Sequence, residues 1–349
     1  MILVTGCNGL IGSQAVLHYD RLGVSTVGID ANMRQEFFGQ DGDTATAFRM
    51  LKGETRRFRF QEIDVRDRMA VNNLLCANRF TAVVHCAAQP SHDLAAKIPH
   101  TDFAVNAVGT LNLLQATRDW SPEAPFVFMS TNKVYGDAPN GRPITEKTIR
   151  YDYILSQGIT EQCSIDQSLH SLFGVSKLSA DLMVQEYGRY FGMKTCCFRA
   201  GCLTGPMHAA VEAHGFLAYV AKCVVTGKPY TIYGYKGKQV RDQLHSADMV
   251  SAIAAFIADP GSGEVYNIGG GRANAASVLE CIAKLEAITG KKLKTEYRDE
   301  PRKGDHICYI TDYGKFQRRY PAWRVTRSLD EICRELVENA ERMKCLTTT

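Results

Sequence analysis

The chain has 349 residues, of which 45% are hydrophobic and 22% charged, a balance typical of a globular protein rather than a disordered one. Its 41 basic and 37 acidic side chains give a formal net charge of only +4, so we expect neither nucleic acid nor a membrane as a partner. No stretch of about 20 apolar residues predicts a membrane span, and the N-terminus lacks the features of a signal peptide. The twelve cysteines include no C-x-x-C pair, which favours free thiols in the cytoplasm and no metal site.

Apolar, β-branched runs alternate with helical patterns over the first 130 residues. The predicted strands cover 1–5, 24–30, 57–62, 81–86 and 125–130, and the predicted helices cover 11–22, 66–78, 101–119 and 168–191. This alternation predicts a doubly wound parallel α/β sheet, the Rossmann arrangement, with helices on both faces. The polar stretch 31–56 is predicted to be a long loop.

The pattern becomes mixed after residue 194. Shorter predicted strands at 194–198, 229–233 and 264–268 alternate with predicted helices at 246–259, 275–289 and 328–343. We expect two domains: a nucleotide-binding domain of residues 1–198, to which 241–268 return, and a smaller α/β substrate domain of residues 199–349.

The strongest single motif, Thr5-Gly6-Cys7-Asn8-Gly9-Leu10-Ile11-Gly12, follows the first strand and opens a helix. Gly6 permits the tight turn, Gly9 lets the backbone approach a pyrophosphate, and Gly12 lets the helix pack on the strand. The helix N-terminus then offers N–H groups to the phosphates. The motif therefore predicts a dinucleotide site.

Asp30 closes the second predicted strand, 18 residues after Gly12. A carboxylate there can accept hydrogen bonds from both ribose hydroxyls and would repel a 2′-phosphate. NAD is therefore favoured over NADP, although Arg34 is close enough in sequence to weaken that preference.

The glycine spacing G-x-x-G-x-x-G resembles the extended short-chain dehydrogenases/reductases, in particular the NAD-dependent sugar-nucleotide epimerases and dehydratases. Matching segments in chain order are Asp64-Val65, His85-Cys86-Ala87-Ala88-Gln89, Asn106-x-x-Gly109-Thr110-Leu111-Asn112, Ser130-Thr131-Asn132-Lys133-Val134-Tyr135-Gly136 and Lys177. The resemblance implies that NAD contacts Gly6, Asn8, Gly9, Leu10, Ile11, Gly12, Asp30, Asn32, Arg34, Asp64, Val65, Ala87, Ala88, Gln89, Asn106, Ser130 and Lys177.

Two later segments are similar to those with which the family binds the diphosphate of a nucleotide sugar. They are Gly237-Lys238-Gln239-Val240-Arg241-Asp242 and the segment from Arg302 to Asp305. An arginine fork can bind phosphate oxygens through two hydrogen bonds. The substrate contacts implied by the resemblance are Thr131, Asn132, Lys133, Arg199, Gln239, Arg241, Arg302 and Asp305.

Within the family, the phrases Ser-Thr-Asn-Lys-Val-Tyr-Gly-Asp and Gly-Lys-Gln-Val-Arg-Asp are most similar to those of the CDP-paratose 2-epimerases. The resemblance implies a homodimer that epimerises a nucleoside-diphosphate sugar through a transient ketone. Sugar-nucleotide 4,6-dehydratases place Asp-Glu after the active-site threonine, whereas this chain has Asn132 and Lys133. An amide does not exchange a proton usefully near neutral pH, so dehydration is disfavoured.

The family's Y-x-x-x-K motif departs here from its pattern, because Phe173 stands at the tyrosine position before Lys177. The resemblance implies that Thr131 binds the reacting oxygen and that Lys177 binds the nicotinamide ribose. In the family the tyrosine takes the proton of the reacting alcohol, which phenylalanine cannot do. Three interpretations remain open. In the first, another base replaces the tyrosine, with His92, Lys133, Lys177 and Cys202 as candidates. In the second, the phenylalanine is a deliberate substitution. In the third, the protein binds its ligands without catalysis. A dehydrogenase or reductase that releases its oxidised product is the alternative enzyme.

Overall fold

The computed structural model describes residues 1–212, 214–302 and 304–348. Lys303, inside the predicted second arginine segment, lies outside these described residues.

The strands of the described residues are numbered β1 to β15 in chain order. They are Ile2–Thr5, Thr26–Asp30, Phe58–Glu62, Ala82–His85, Phe126–Thr131, Ile144–Glu146, Tyr151–Tyr153, Thr195–Ala200, Cys202–Thr204, Tyr230–Tyr233, Val240–His245, Glu264–Ile268, Ala275–Ser277, Thr295–Arg298 and Cys308–Tyr309.

The α-helices of the same residues are numbered α1 to α13. They are Leu10–Arg21, Met33–Phe38, Ala45–Glu54, Arg68–Cys76, His92–Ala95, Pro99–Phe103, Gly109–Trp120, Leu172–Phe191, Phe216–Thr226, Ser246–Ala258, Val278–Thr289, Gly314–Arg319 and Leu329–Thr348. A π-helical turn over Ala104–Val108 joins α6 to α7 without a break.

Seven strands form the central sheet in the order β12-β8-β5-β4-β1-β2-β3. The neighbouring strands from β8 through β3 are all parallel, which confirms the predicted doubly wound α/β sheet. The strand order reverses between β1 and β4, and ligands of such sheets bind at the carboxyl ends of the strands near that reversal. Buried Leu3, Val83 and Phe128 form part of the core beneath it.

The chain divides into two compact units. The first unit contains Met1–Val134, His170–Ala200 and Met249–Tyr266, and the second unit contains Tyr135–Leu169, Gly201–Asp248 and Asn267–Thr349. Residues 135–169, 241–248 and 267–268, which we expected in the nucleotide-binding domain, therefore group with the second unit, and residues 199–200 group with the first.

The stretch 31–56 is not the long loop that we predicted, because α2 and α3 occupy most of it. Helix α3 buries only Ala47 and Leu51, and the Phe48 ring packs on Phe60 with 4.4 Å between ring centroids. So few buried positions leave a weak helical period in the sequence.

The second unit has its own core, in which α9, α11 and α13 bury Val220, Cys281, Leu285, Ile332 and related apolar side chains. A capping box between Ser277 and Glu280 begins α11. Beside these helices, β11 pairs with β9, β13 and β15.

All twelve cysteines are free thiols, and most of them are buried. In the part of the chain that the structure describes, no helix combines the length and apolar character that crossing a membrane requires.

Candidate active site

The glycine-rich turn between β1 and α1 brings two backbone segments into close contact. Gly6 has a φ of +62°, and a Cβ atom on it would lie 2.7 Å from the backbone nitrogen of Ala87. A Cβ atom on Gly12 would lie 2.1 Å from the carbonyl oxygen of Gly6. Gly9 gives α1 no side-chain cap, and the first turn from Leu10 has no acidic residue. The N-terminus of α1 therefore suits an anionic group such as a pyrophosphate.

Asp30 lies beside this turn, at the end of β2. Its carboxylate accepts hydrogen bonds from the backbone N–H groups of Asn8 at 3.0 Å and Asn32 at 2.8 Å. Burial raises the pKa of Asp30, although these hydrogen bonds and the charge of Arg34 oppose the rise. Burial also lowers the pKa of Arg34 to about 10. An acceptor at this strand end fits the ribose of a dinucleotide.

The Asp64-Val65 segment follows β3 and is held by α7. The side-chain amide of Asn112 donates to the carbonyl oxygen of Val65 at 3.0 Å. A Cβ atom on Gly109 would lie 2.6 Å from a Val65 methyl carbon, so the helix reaches this segment only with glycine there. Burial tends to raise the pKa of Asp64, but hydrogen bonds from Arg66 outweigh it and leave the pKa lowered.

The loop after β4, which contains Ala87, Ala88 and Gln89, is fixed by buried hydrogen bonds. Thr5 Oγ1 accepts from the backbone N–H of Ala87 at 3.1 Å. The backbone N–H of Gln89 donates to the side-chain oxygen of Asn106 at 2.9 Å. The Asn106 amide donates back to the Gln89 carbonyl oxygen at 3.1 Å. Both backbone groups of Gln89, its N–H and its carbonyl, are thus hydrogen-bonded to the side chain of Asn106 in the π-helical turn.

We call the buried side chains of Gln89, Asp102, Asn106 and Ser176 the amide network. Gln89 Nε2 donates to Asp102 Oδ1 at 2.7 Å, and Asn106 Nδ2 lies 3.1 Å from the same oxygen and 3.0 Å from Ser176 Oγ. The Ser176 hydroxyl donates to the carbonyl oxygen of Phe173 at 3.1 Å. The network therefore joins the loop after β4 to the first turns of α8. Asp102 and Ser176 were not among the predicted site residues, although the four-residue spacing of Asp102 and Asn106 indicates that they share one face of a helix.

Thr131, Asn132 and Lys133 follow β5. Thr131 Oγ1 accepts a hydrogen bond from the backbone N–H of Lys133 at 3.2 Å, and its hydroxyl lies 3.4 Å from Asn132 Oδ1. A Cβ atom on Gly174 would lie 2.8 Å from the Lys133 carbonyl oxygen. This close approach brings the segment after β5 against the start of α8, where Ser171 caps the helix.

Lys177 lies one turn further along α8 and is buried. Its ammonium donates to the Met129 carbonyl oxygen at 2.7 Å and lies 4.0 Å from the centroid of the Phe128 ring. Burial lowers the pKa of Lys177 to about 8, although nearby acidic groups and thiols oppose this. The lysine ammonium is thus held against β5, two to three residues before that strand ends.

Phe173 contacts His92. The two ring centroids are 5.0 Å apart, the planes are inclined by 46°, and the phenylalanine is only 7% exposed. His92 is half-buried at the start of α5, a helix capped by the Ser91 hydroxyl. The structure therefore places one of the predicted alternative bases beside the residue that replaces the tyrosine.

Ser130 and Arg199 have partners inside the first unit. Ser130 Oγ donates to Asp181 at 2.6 Å, and Arg199 binds both carboxylate oxygens of Asp181 at 2.8 and 3.1 Å. The arginine is 5% exposed. We expected Arg199 to contact substrate, but its geometry gives it a buried structural role, which its position in an apolar strand did not reveal.

The remaining predicted substrate residues, Gln239, Arg241, Arg302 and Asp305, all belong to the second unit. Arg241, in β11, donates to Asp305 Oδ1 at 2.6 Å. The backbone N–H of Asp305 in turn bonds to the carbonyl oxygen of Arg302 at 3.1 Å. Cys202, the remaining predicted base, lies in β9 of this unit.

Arg302 and Gln239 share Tyr233 as a neighbour. The guanidinium carbon of Arg302 lies 4.6 Å from the centroid of the Tyr233 ring, and Gln239 Nε2 donates to the Tyr233 carbonyl oxygen at 3.1 Å. The buried Gln239 Oε1 has no hydrogen-bond partner in the part of the chain described. Arginine side chains suit an anionic ligand, and the unsatisfied amide oxygen of Gln239 can accept a hydrogen bond from a ligand hydroxyl or amine.

Comparisons with known proteins agree with this geometry. The sequence model of the NAD dependent epimerase/dehydratase family matches residues 2–269. CDP-paratose 2-epimerase of Salmonella typhi is 31% identical over 323 residues, which cover 90% of this chain and 91% of that protein. dTDP-glucose 4,6-dehydratase of Shigella flexneri is 28% identical, with coverages of 96% and 87%.

Among solved structures, a tyrosine-to-phenylalanine mutant of UDP-glucuronic acid 4-epimerase from Bacillus cereus is similar to this chain. It contains NAD and UDP-4-deoxy-4-fluoro-glucuronic acid, with a TM-score of 0.81, 25% identity, and coverage of 98% of this chain and 99% of that one. The glycine turn, the Asp30 carboxylate and the uncapped N-terminus of α1 fit a dinucleotide, and relatives of this fold bind NAD. The chain therefore belongs to the NAD-dependent epimerase/dehydratase family, and its cofactor is NAD.

Proposed function

We propose that the protein is an NAD-dependent epimerase that inverts C2 of a nucleoside-diphosphate sugar, as the name of its Salmonella typhi relative suggests. The observation that carries the proposal is the segment after β5. It keeps Thr131 but has the buried Asn132 and then Lys133 where the dehydratases need a carboxylic acid pair. The site thus lacks, within this segment, the groups that would eliminate water.

In the proposed reaction, bound NAD would supply a hydride acceptor and donor at the carbon that is inverted. The Thr131 hydroxyl binds the reacting oxygen, exchanging its long 3.4 Å contact with Asn132 for the substrate. Lys177 binds the nicotinamide ribose and supplies positive charge. Arg241 and Arg302 bind the diphosphate while the sugar turns between the two hydride transfers.

The roles of the cofactor-binding residues follow the same proposal. The pyrophosphate binds at Gly6, Gly9 and Gly12, and the adenosine ribose binds at Asp30. The adenine lies at Asp64-Val65. NAD would thereby be held at its adenosine end by these residues and at its nicotinamide ribose by Lys177.

The test uses CDP-paratose deuterated at C2, incubated with the purified protein and followed by NMR. We expect the C2 epimer with deuterium retained in the same molecule and no accumulation of NADH. Because CDP-paratose has no 6-hydroxyl to eliminate, dTDP-glucose is tested in parallel, and its conversion to a 4-keto-6-deoxy product would establish a dehydratase. Stoichiometric NADH would establish a dehydrogenase. Binding of the nucleotide sugar with the deuterium unmoved after long incubation would establish a protein that binds without catalysis. Each of these three results overturns the proposal.

A further inference from the structure

The contact between His92 and Phe173 brings an imidazole to the position where the family has a phenol. A centroid separation of 5.0 Å places the rings in direct contact. Phe173 is buried whereas His92 is half-buried, so the imidazole is the more accessible ring of the pair.

The position of His92 is fixed by hydrogen bonds on the residues just before it. The backbone N–H of Ser91 donates to Gln89 Oε1 at 2.7 Å, and Gln89 Nε2 donates to the Ser91 carbonyl oxygen at 2.9 Å. Gln89 belongs to the amide network, which ends at the Phe173 carbonyl oxygen. One set of bonds therefore connects the backbone just before His92 to the backbone of Phe173, so the two residues that carry the rings are positioned together.

The other basic side chains near Phe173 fit proton acceptance less well. The Lys177 ammonium donates to the Met129 carbonyl oxygen, and a charged lysine such as Lys133 can only donate hydrogen bonds until it loses a proton. His170 Nε2 lies 2.8 Å from the Val134 carbonyl oxygen, a bond that uses this nitrogen as a donor.

We propose that His92 is the catalytic residue that accepts and returns the proton of the sugar hydroxyl. This inference rests on the proposed function. As the carbon–hydrogen bond breaks and its hydride leaves for NAD, the hydroxyl proton moves to an imidazole nitrogen and the carbonyl double bond forms. When the hydride returns to the other face, the imidazolium gives the proton back, so the enzyme and NAD end unchanged. Thr131 orients the oxygen throughout.

The experiment compares the parent with His92→Gln, with the double variant His92→Gln/Phe173→Tyr, and with His100→Gln, which removes an exposed imidazole of α6. The rate of deuterium transfer from labelled CDP-paratose is measured at saturating substrate. Affinities for NAD and for CDP-paratose are measured by calorimetry. We expect His92→Gln to lose about 10²–10⁴ in rate with both affinities kept, and His100→Gln to match the parent.

The double variant separates a chemical role from a structural one. A phenol at position 173 restores the family's base. The double variant should therefore react at least tenfold faster than His92→Gln alone. Equal rates for His92→Gln and the parent would overturn the proposal, and so would a loss that the phenol does not restore. Net NADH formation by the parent would overturn the proposed epimerase instead. The ratio of variant to parent would still report on His92, because alcohol oxidation needs the same proton acceptor.

Discussion

Arg241 and Asp305 form an ion pair in the second unit, with 2.6 Å between Nη2 and Oδ1. The arginine also donates to the carbonyl oxygens of Val240 and His306, so three acceptors fix its guanidinium. A guanidinium oriented in this way loses little conformational freedom on binding a diphosphate, because its side chain is ordered in advance. Asp305 thereby positions the arginine while the remaining N–H groups can bind ligand.

Arg241→Ala and Arg302→Ala should each weaken nucleotide-sugar binding by about 10- to 150-fold and leave NAD affinity nearly unchanged. A hydrogen bond to a charged group contributes about 1.5–3 kcal/mol, which corresponds to that range. Arg298→Ala is the matched control, because Arg298 is exposed and lies 5.8 Å from the same Tyr233 ring but outside the predicted segment. Calorimetry with CDP-paratose measures all three. If Arg298→Ala has the same effect as the other two, general charge rather than a specific site binds the ligand.

Asp30→Ala should weaken NAD binding by about 10- to 150-fold and reduce the preference for NAD over NADP, since the acceptor and its negative charge both disappear. Glu62→Ala serves as the control, because Glu62 is the exposed carboxylate paired with Asp30 in register at the end of β3. Fluorescence titration of cofactor-free protein with both dinucleotides measures the two affinities. Unchanged NAD affinity together with unchanged rejection of NADP would remove Asp30 from the cofactor site.

Phe173→Tyr alone should leave the epimerase rate level or lower it. With His92 in place, the added hydroxyl is redundant. It would also crowd the site, because the Phe173 side chain is only 7% exposed and its ring already contacts the imidazole. The measurement is deuterium transfer across pH 6–9. A rise of about 10²–10⁴ would instead identify the parent as an epimerase that lacks its base.

Lys177→Met should make the cofactor-free protein more stable at pH 7 while abolishing activity. Burial lowers the pKa of Lys177 to about 8, whereas an unfolded lysine titrates near 10.4, so the folded state binds fewer protons between those values. Below about pH 8 the buried charge costs a constant amount of stability, about 3 kcal/mol. The cost declines as the pH rises from about 8 towards 10.

Urea unfolding of the parent and Lys177→Met at several pH values measures this difference. The stability gap should be largest at pH 7 and close as the pH approaches 10. A gap that does not change with pH would show that lost packing or hydrogen bonding, and not charge burial, separates the two proteins.

We propose a homodimer formed through the helices α7 and α8. Val108 and Leu111 near the start of α7, and Val175 and Leu182 on α8, are apolar and each about 40% exposed. Pairs of such helices related by a two-fold axis would bury these side chains. Sedimentation should give twice the 38.7 kDa of one chain, and Leu111→Glu/Leu182→Glu should give the monomer.

The matched control is Leu22→Glu, which places a charge on a residue that is 63% exposed at the end of α1. This variant should remain dimeric. Sedimentation of the parent at micromolar concentration as a single chain would refute the proposed interface.

The sequence predicted the central sheet because its strands are short, apolar and separated by helical patterns, and the strand ends were placed within a few residues. The glycine turn was predictable for the same reason: Gly6 and Gly12 are required by close backbone approaches that no other residue permits. Local patterns of this kind are visible in a single sequence.

Features that depend on distant partners were not predictable. Arg199 looks like a binding residue in the sequence, yet its partner Asp181 comes from a helix 18 residues earlier and buries it. The two helices within 31–56 bury so few side chains that the sequence shows no clear helical spacing of apolar residues. The contact of His92 with Phe173 spans 81 residues of chain, and no spacing rule relates the two positions.

The amide network has a consequence for how this site can vary. Gln89, Asp102, Asn106 and Ser176 each satisfy another member's buried donor or acceptor, so replacing one leaves its neighbour unsatisfied. The cost of a substitution at one position then depends on which residues occupy the other three, and the four costs do not add. Natural or engineered changes at these positions must therefore occur together, which makes the four residues a single epistatic unit that restricts how the His92 loop can evolve.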